Sequence, residues 1–201
     1  MKKILFALFI FTYALGFSQI DKLNSKEPLV KDPYFKKETN VAVQPGQKVR
    51  FIHSDLFERK PDMYGGNPFF TGNVQFEHQG AMLTADRVIF YEKENFAKAI
   101  GNVLLVTSDG NRITSNEMEY DGNTQRGIAR GKVVLTDAKQ TISTDVLYYD
   151  RVKNTAYFNS GGTINDGRNT MWTQSATYFI DSKTNEFTNN YTIDNAQYRV
   201  E

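Results

Sequence analysis

His53 and His78 are the only imidazoles in the chain, and there is no cysteine. A catalytic or metal-binding centre built on them needs serine, carboxylate or a further imidazole at a fixed spacing, and neither histidine has such company. Without cysteine there is no thiolate zinc site and no disulfide framework. Pairs such as Gly72-Asn73 and Gly101-Asn102 are not phosphate loops, because no helical pattern follows to offer its N-terminal amides. The residues predict no catalytic site, no metal and no cofactor. Lys98, Arg112, Arg126, Arg130, Lys132 and Lys139 could meet phosphates, but Asp109, Glu117, Glu119, Asp121 and Asp137 are interleaved with them. That pattern fits a solvated mixed face. Asp86, Asn116 and Asp145 share one register, where a turn cap or a backbone bond is expected rather than a ligand ladder. The chemistry left to this chain is burial of something apolar.

The elements that would have to arrange such burial come after an unusual start. Met1-Lys2-Lys3 precedes an apolar run from Ile4 to Phe17, the n-region and h-region of a secretory signal. The run is short for a membrane span, which takes roughly 20 residues. Gly16 and Ser18 suit cleavage before Gln19, so residues 1–18 are expected to be a signal peptide and the mature protein exported to the periplasm. An uncleaved anchor is the alternative. No cysteine follows to carry a lipid anchor. Cleavage removes two of 24 basic residues, leaving 22 against 23 acidic ones, a net of −1. So even a balance offers no electrostatic footprint for nucleic acid. Residues 19–46 are polar, carry Pro28, Pro33 and Pro45, and are expected to form a flexible lead-in.

From Gln47 to Glu201 a repeat of about thirty residues takes over, the mark of a repeat architecture. Gly72-Asn73-Val74 returns as Gly101-Asn102-Val103, Gly131-Lys132-Val133 and Gly162-Thr163-Ile164, with the glycines 29, 30 and 31 residues apart. A second signature, Leu83-Thr84-Ala85-Asp86, returns as Ile113-Thr114-Ser115-Asn116, Ile142-Ser143-Thr144-Asp145 and Trp172-Thr173-Gln174-Ser175. An aromatic follows each at a constant offset: Phe90, Tyr120, Tyr149 and Phe179. Short polar turns such as Gln79-Gly80, Asp109-Gly110-Asn111 and Asp121-Gly122-Asn123 fall between the signatures, as hairpins require. Each copy should supply two antiparallel strands of an all-β meander.

Side chains alternate along a strand, so the apolar parity names the inner face. It comprises Val74 and Phe76, Val88 and Phe90, Val103 and Leu105, Met118 and Tyr120, Val133 and Leu135, then Leu147 and Tyr149. Glycine within a strand marks a bend or a close approach. A bend at one register in every copy would fold the meander into two facing sheets, an open roll whose interior is either filled or a groove. In the fourth copy the same offsets put Asp166 and Thr177 inside, which suits a terminal or capping repeat.

Phe70-Thr71-Gly72-Asn73-Val74-Gln75-Phe76-Glu77-His78-Gln79-Gly80, followed by Leu83-Thr84-Ala85-Asp86-Arg87-Val88-Ile89-Phe90-Tyr91 and returning every thirty residues, resembles the OstA-like (LptA-like) family of lipopolysaccharide-transport proteins. The resemblance runs from about Gln47 to Tyr198. It implies an open β-jellyroll, the β-taco, whose interior accepts the acyl chains of lipopolysaccharide. It also implies edge-to-edge stacking of such proteins, head to tail, into a bridge between membranes. The twelve inward residues would then be the lipid-binding positions, and no catalytic residue is implied. A periplasmic lipopolysaccharide carrier is therefore the leading expectation. A structural or adhesive β-repeat protein with a sealed core is the alternative, separated from it by whether lipid co-purifies.

Overall fold

The computed structural model describes residues 48–188 and the strand segments 191–195 and 199–200. The expected signal (1–18) and lead-in (19–46) lie outside the described residues. Fifteen strands form one antiparallel sheet: β1 (Arg50–His53), β2 (Leu56–Glu58), β3 (Phe69–His78), β4 (Ala81–Tyr91), β5 (Phe96–Val106), β6 (Arg112–Asp121), β7 (Arg126–Thr136), β8 (Thr141–Asp150), β9 (Thr155–Phe158), β10 (Gly162–Asn165), β11 (Asn169–Thr173), β12 (Ala176–Phe179), β13 (Thr184–Phe187), β14 (Tyr191–Asn195) and β15 (Arg199–Val200). The all-β repeat meander expected from the sequence is the fold.

The six long strands β3 to β8 do not run straight. Phe76 pairs with Leu83 across the first hairpin, seven residues short of Phe90. A straight strand would put those seven residues roughly 23 Å apart, yet the rings of Phe76 and Phe90 lie with centroids 5.3 Å apart. The strand has folded back on itself. The bend falls at the repeated glycine, where two residues oppose one: Gly101-Asn102 face Asn116 between the pairs Ile100↔Glu117 and Val103↔Ser115. Both bulge residues are left-handed, with φ of 79° and 45°. Gly72-Asn73 and Gly131-Lys132 repeat this conformation. Asparagine tolerates that region better than most residues and glycine adopts it freely, which explains the Gly-Asn signature as backbone geometry.

The aspartate and asparagine register completes the bend. Asp86 Oδ2 accepts a hydrogen bond from Asn102 Nδ2 at 2.9 Å, and Asp55 does the same for Asn73 at 2.9 Å. A Cβ on Gly101 would lie 2.4 Å from Asp86 Oδ2, and one on Gly72 2.3 Å from Asp55 Oδ2. Carboxylate, glycine and asparagine thus lock together along one side of the roll, its spine. The expectation of a structural role for Asp86 holds, although its partner is a side chain rather than the backbone.

Opposite the spine the hairpin turns line up in two facing rows. One row holds the turns at 79–80, 107–111, 137–140 and 166–168; the other holds 92–95, 122–125, 151–154 and 180–183. After β8 the bend becomes a break. The first part of β8 pairs with β10 through Thr141–Thr144, its last part with β9 through Tyr148–Asp150. From there the two halves of the roll continue separately, one as β9, β12 and β13, the other as β10, β11, β14 and β15.

The fourth copy corrects one expectation. Asp166 is exposed in the turn between β10 and β11, where its carboxylate accepts the N–H groups of Arg168 and Asn169. Thr177 faces outward, and Ala176, Tyr178 and Ile180 face in, each about 1% exposed. Thr173 is buried and Trp172 lies outside, with Phe179 also exposed. In the fourth copy β10 keeps step, with Ile164 buried like Val74, Val103 and Val133, and ends before Asp166, while β11 and β12 run one residue out of step with the first three copies. With a side-chain period of two, a single-residue slip exchanges the faces. Its inner face carries Ile164, Ala176, Tyr178 and Ile180, with Thr173 where the first three copies have Leu83, Ile113 and Ile142.

Candidate functional site

The roll places all twelve inward residues named above in one core. Eleven are buried, and Phe90 is partly buried and packed against them. Those of β3, β5 and β7 follow the bend on one facing sheet and those of β4, β6 and β8 follow it on the other, so the core is a continuous column between the two. Val74, Leu135 and Leu147 are wholly shielded from solvent. The interior is therefore packed with the chain's own side chains, at the close spacing expected of facing sheets.

The column ends in aromatics at its N-terminal mouth. Phe51 stacks on Phe70 with centroids 4.6 Å apart, and Phe76 meets Phe70 edge-on at 5.2 Å. Phe51, Ile52, Leu56 and Phe57 are about half exposed, on β1 and β2, which both pair only with β3 among the described residues. Among the described residues this end is an apolar sheet edge, the kind of edge that takes strand addition.

Two tyrosines in the column keep their hydroxyls at the turn rows. Tyr120 Oη lies 2.8 Å from His78 Nδ1 and accepts from Arg151 Nη1 at 3.1 Å. Burial pushes the phenols of Tyr120 and Tyr149 above the ordinary tyrosine range, with the Asp109 charge adding to the shift at Tyr149. Both are neutral at physiological pH. His78 is a buried partner of Tyr120, and His53 sits exposed 3.5 Å from Asp55.

The seam between the two rows of turns is fastened by side chains. In the turn after β8, Arg151 reaches over to the carbonyls of His78 and Gln79, each at 3.1 Å. Further along, Asp137 in one row takes the Tyr178 hydroxyl and, at 3.0 Å, the Lys183 ammonium from the other half. Gln140 and Asn185 exchange amide hydrogen bonds at 2.9 and 3.4 Å. Burial raises the Asp137 carboxyl, but bonds from Tyr178, the Lys139 and Gln140 amides and Lys183 outweigh it and hold it below its usual 3.8. A carboxyl depressed on folding contributes stability above its unfolded pKa and loses it as pH falls through the folded one. Asp137→Asn should therefore cost about 1–3 kcal/mol at neutral pH and flatten the loss of stability below pH 3.8, read by urea unfolding across that range.

The cations expected on a mixed outer face include paired ones. Lys98 lies 3.6 Å from Glu119, and Arg126 donates to Asp150 at 2.9 Å. Among the described residues, no group of three histidine or carboxylate side chains is placed to hold a metal.

Residues 46–201 match the family model described as OstA-like protein. The chain belongs to the OstA-like family. Among solved structures, this OstA-like chain is similar to LptH from Pseudomonas aeruginosa, described as the LptA-homologous periplasmic component of the lipopolysaccharide transport device. The match has 16% identity and a TM-score of 0.50, covering 56% of this chain and 84% of that one. At that identity the likeness speaks for a shared fold, the β-jellyroll. No curated protein matches this OstA-like sequence.

Several residues of the OstA-like roll escaped the repeat pattern. Phe158, Tyr178 and Ile180 extend the core beyond Tyr149 and are buried like the rest, as is Ile164 of the fourth glycine signature. The alternation of Tyr178 and Ile180 is visible once the one-residue slip in β11 and β12 is allowed. Arg151 carries no such signal. It sits in a polar turn, and the carbonyls it holds lie more than seventy residues back in the chain.

Proposed function

We propose that this OstA-like protein is a periplasmic carrier of lipopolysaccharide that shields acyl chains on their way to the outer membrane. The observation behind this reading is the form of the core: one unbroken apolar column, bent along a spine and closed on the opposite side, among the described residues, by non-covalent side-chain contacts. A core of this form can admit a long apolar ligand by parting at the seam, without breaking any strand pairing. Each buried methylene contributes roughly 0.8 kcal/mol, so one fourteen-carbon chain supplies on the order of 10 kcal/mol before the cost of displacing side chains. Family membership supports lipopolysaccharide as the ligand and transport proteins of the same fold as partners. The edges β1 and β2 at one end and β13 and β15 at the other supply the pairing surfaces for a head-to-tail bridge. Nothing in this role requires catalysis.

The packed interior favours a second reading, a structural β-repeat with a permanently sealed core. Native mass spectrometry of the mature protein, taken from its own periplasm without detergent, separates the two. The carrier is expected to retain a species of lipid A or lipopolysaccharide mass and to show chain oligomers. A bare mass, unchanged after incubation with lipopolysaccharide, would leave the sealed repeat.

A further inference from the structure

Arg151 is placed where the apolar column meets solvent. Behind it are buried Tyr120 and His78; beside it are exposed Gln79 and Val152, the latter 70% exposed. Its guanidinium makes three hydrogen bonds, to the carbonyl oxygens of His78 and Gln79 and to Tyr120 Oη, all at 3.1 Å and all to neutral acceptors. The nearby carboxylates are otherwise engaged. Asp150 is taken by Arg126 Nε at 2.9 Å and by the N–H groups of Val152 and Lys153. Asp109 is taken by the Thr107 hydroxyl and, at 2.7 Å, by the Asn111 amide. Arg50, Arg59, Lys98, Arg126 and Lys183, by contrast, each face a carboxylate.

A guanidinium presents a planar fork of donors that matches two oxygens of a phosphate, and charge-assisted bonds are about twice as strong as neutral ones. Its present acceptors, two peptide carbonyls and a phenol, are the weaker kind. A ligand whose chains lie in the column must hold its polar head at the seam. We propose that Arg151 is the anchor for a phosphate group on that ligand, with the Tyr120 hydroxyl and the His78 ring as its support. Because Arg151 also ties the β8–β9 turn to the β3–β4 turn, taking up phosphate releases the His78 and Gln79 carbonyls. Head-group capture and parting of the seam are then one event.

This inference rests on the carrier reading, and one experiment keeps the two apart. The full mature chain is offered diphosphorylated lipid A in competition with the same lipid A stripped of phosphate, and bound masses are compared. Wild type is expected to prefer the phosphorylated form by about tenfold, the order a charge-assisted hydrogen bond supplies. Arg151→Gln, which keeps amide donors for the carbonyls, should bind both lipids alike. Arg151→Lys, which keeps the charge without the fork, should retain a reduced preference and reads the site if Arg151→Gln does not fold. An undiminished preference in Arg151→Gln overturns the anchor and leaves the carrier intact. Binding of neither lipid by wild type overturns the carrier as well. Inorganic phosphate at millimolar concentration should leave the preference in place; its abolition would mean a site for free anions, uncoupled from the lipid.

Discussion

Phe76→Ala is expected to destabilise the lipid-free protein by about 3–5 kcal/mol and to enlarge the stabilisation that lipid provides. The side chain is 1% exposed and is enclosed by Phe51, Phe70 and Phe90, at centroid distances of 5.6, 5.2 and 5.3 Å. Removing a buried phenyl loses its transfer free energy and leaves a cavity that the surrounding sheets close only in part. For a domain of this size each kcal/mol lowers the melting temperature by roughly 2–4 °C. An acyl chain in the column would occupy the space the ring leaves, so added lipid A should raise the variant's melting temperature by more than it raises that of wild type. Thermal unfolding with and without lipid measures both quantities. Equal lipid-induced shifts would place the chains elsewhere than beside Phe76.

Stapling the seam should have the larger effect on transport. The protein has no native cysteine, so Gln140→Cys with Asn185→Cys and Gln79→Cys with Val152→Cys introduce the only thiols. The first pair replaces amides already bonded to each other, and the second flanks the Arg151 bridge. A short, reducible bis-thiol reagent across both should slow lipid uptake by at least about tenfold, the factor that 1.4 kcal/mol of barrier represents. It should also raise the melting temperature. Reductant should restore uptake, and the singly labelled variants should behave as wild type. Undiminished uptake by the stapled protein would show that lipid enters through an end of the roll.

The repeat made most of the fold readable in advance. Gly72, Gly101 and Gly131 announced the bends, the Asp-Gly-Asn clusters the turns, and strict alternation in β3 to β8 the twelve core positions. All of these are local or periodic signals. What lay beyond them was non-periodic or distant. Asn159-Ser160-Gly161-Gly162 marks a loop, but nothing local shows that the parity changes only beyond β10, where Ile164 is still in step and Thr173 rather than Trp172 faces in. The seam contacts join residues 45, 46 and 73 apart and rely on how the two rows of turns meet. Whether the column is filled or open was equally out of reach, since alternation identifies a face without saying what it touches. The structure shows it filled by the chain's own side chains.

The bulge at each repeated glycine also turns the molecule into a unit of length. Six strands, β3 to β8, share one uninterrupted spine and stand side by side at about 4.8 Å, a run of about 24 Å along the axis. One leaflet of a membrane offers hydrocarbon roughly 15 Å deep, half of the full ~30 Å core. An acyl chain lying along the axis therefore fits within the continuous part of a single molecule, with no need to cross a junction between neighbours. Each further thirty-residue copy would add two strands, or about 9.6 Å, at an unchanged cross-section.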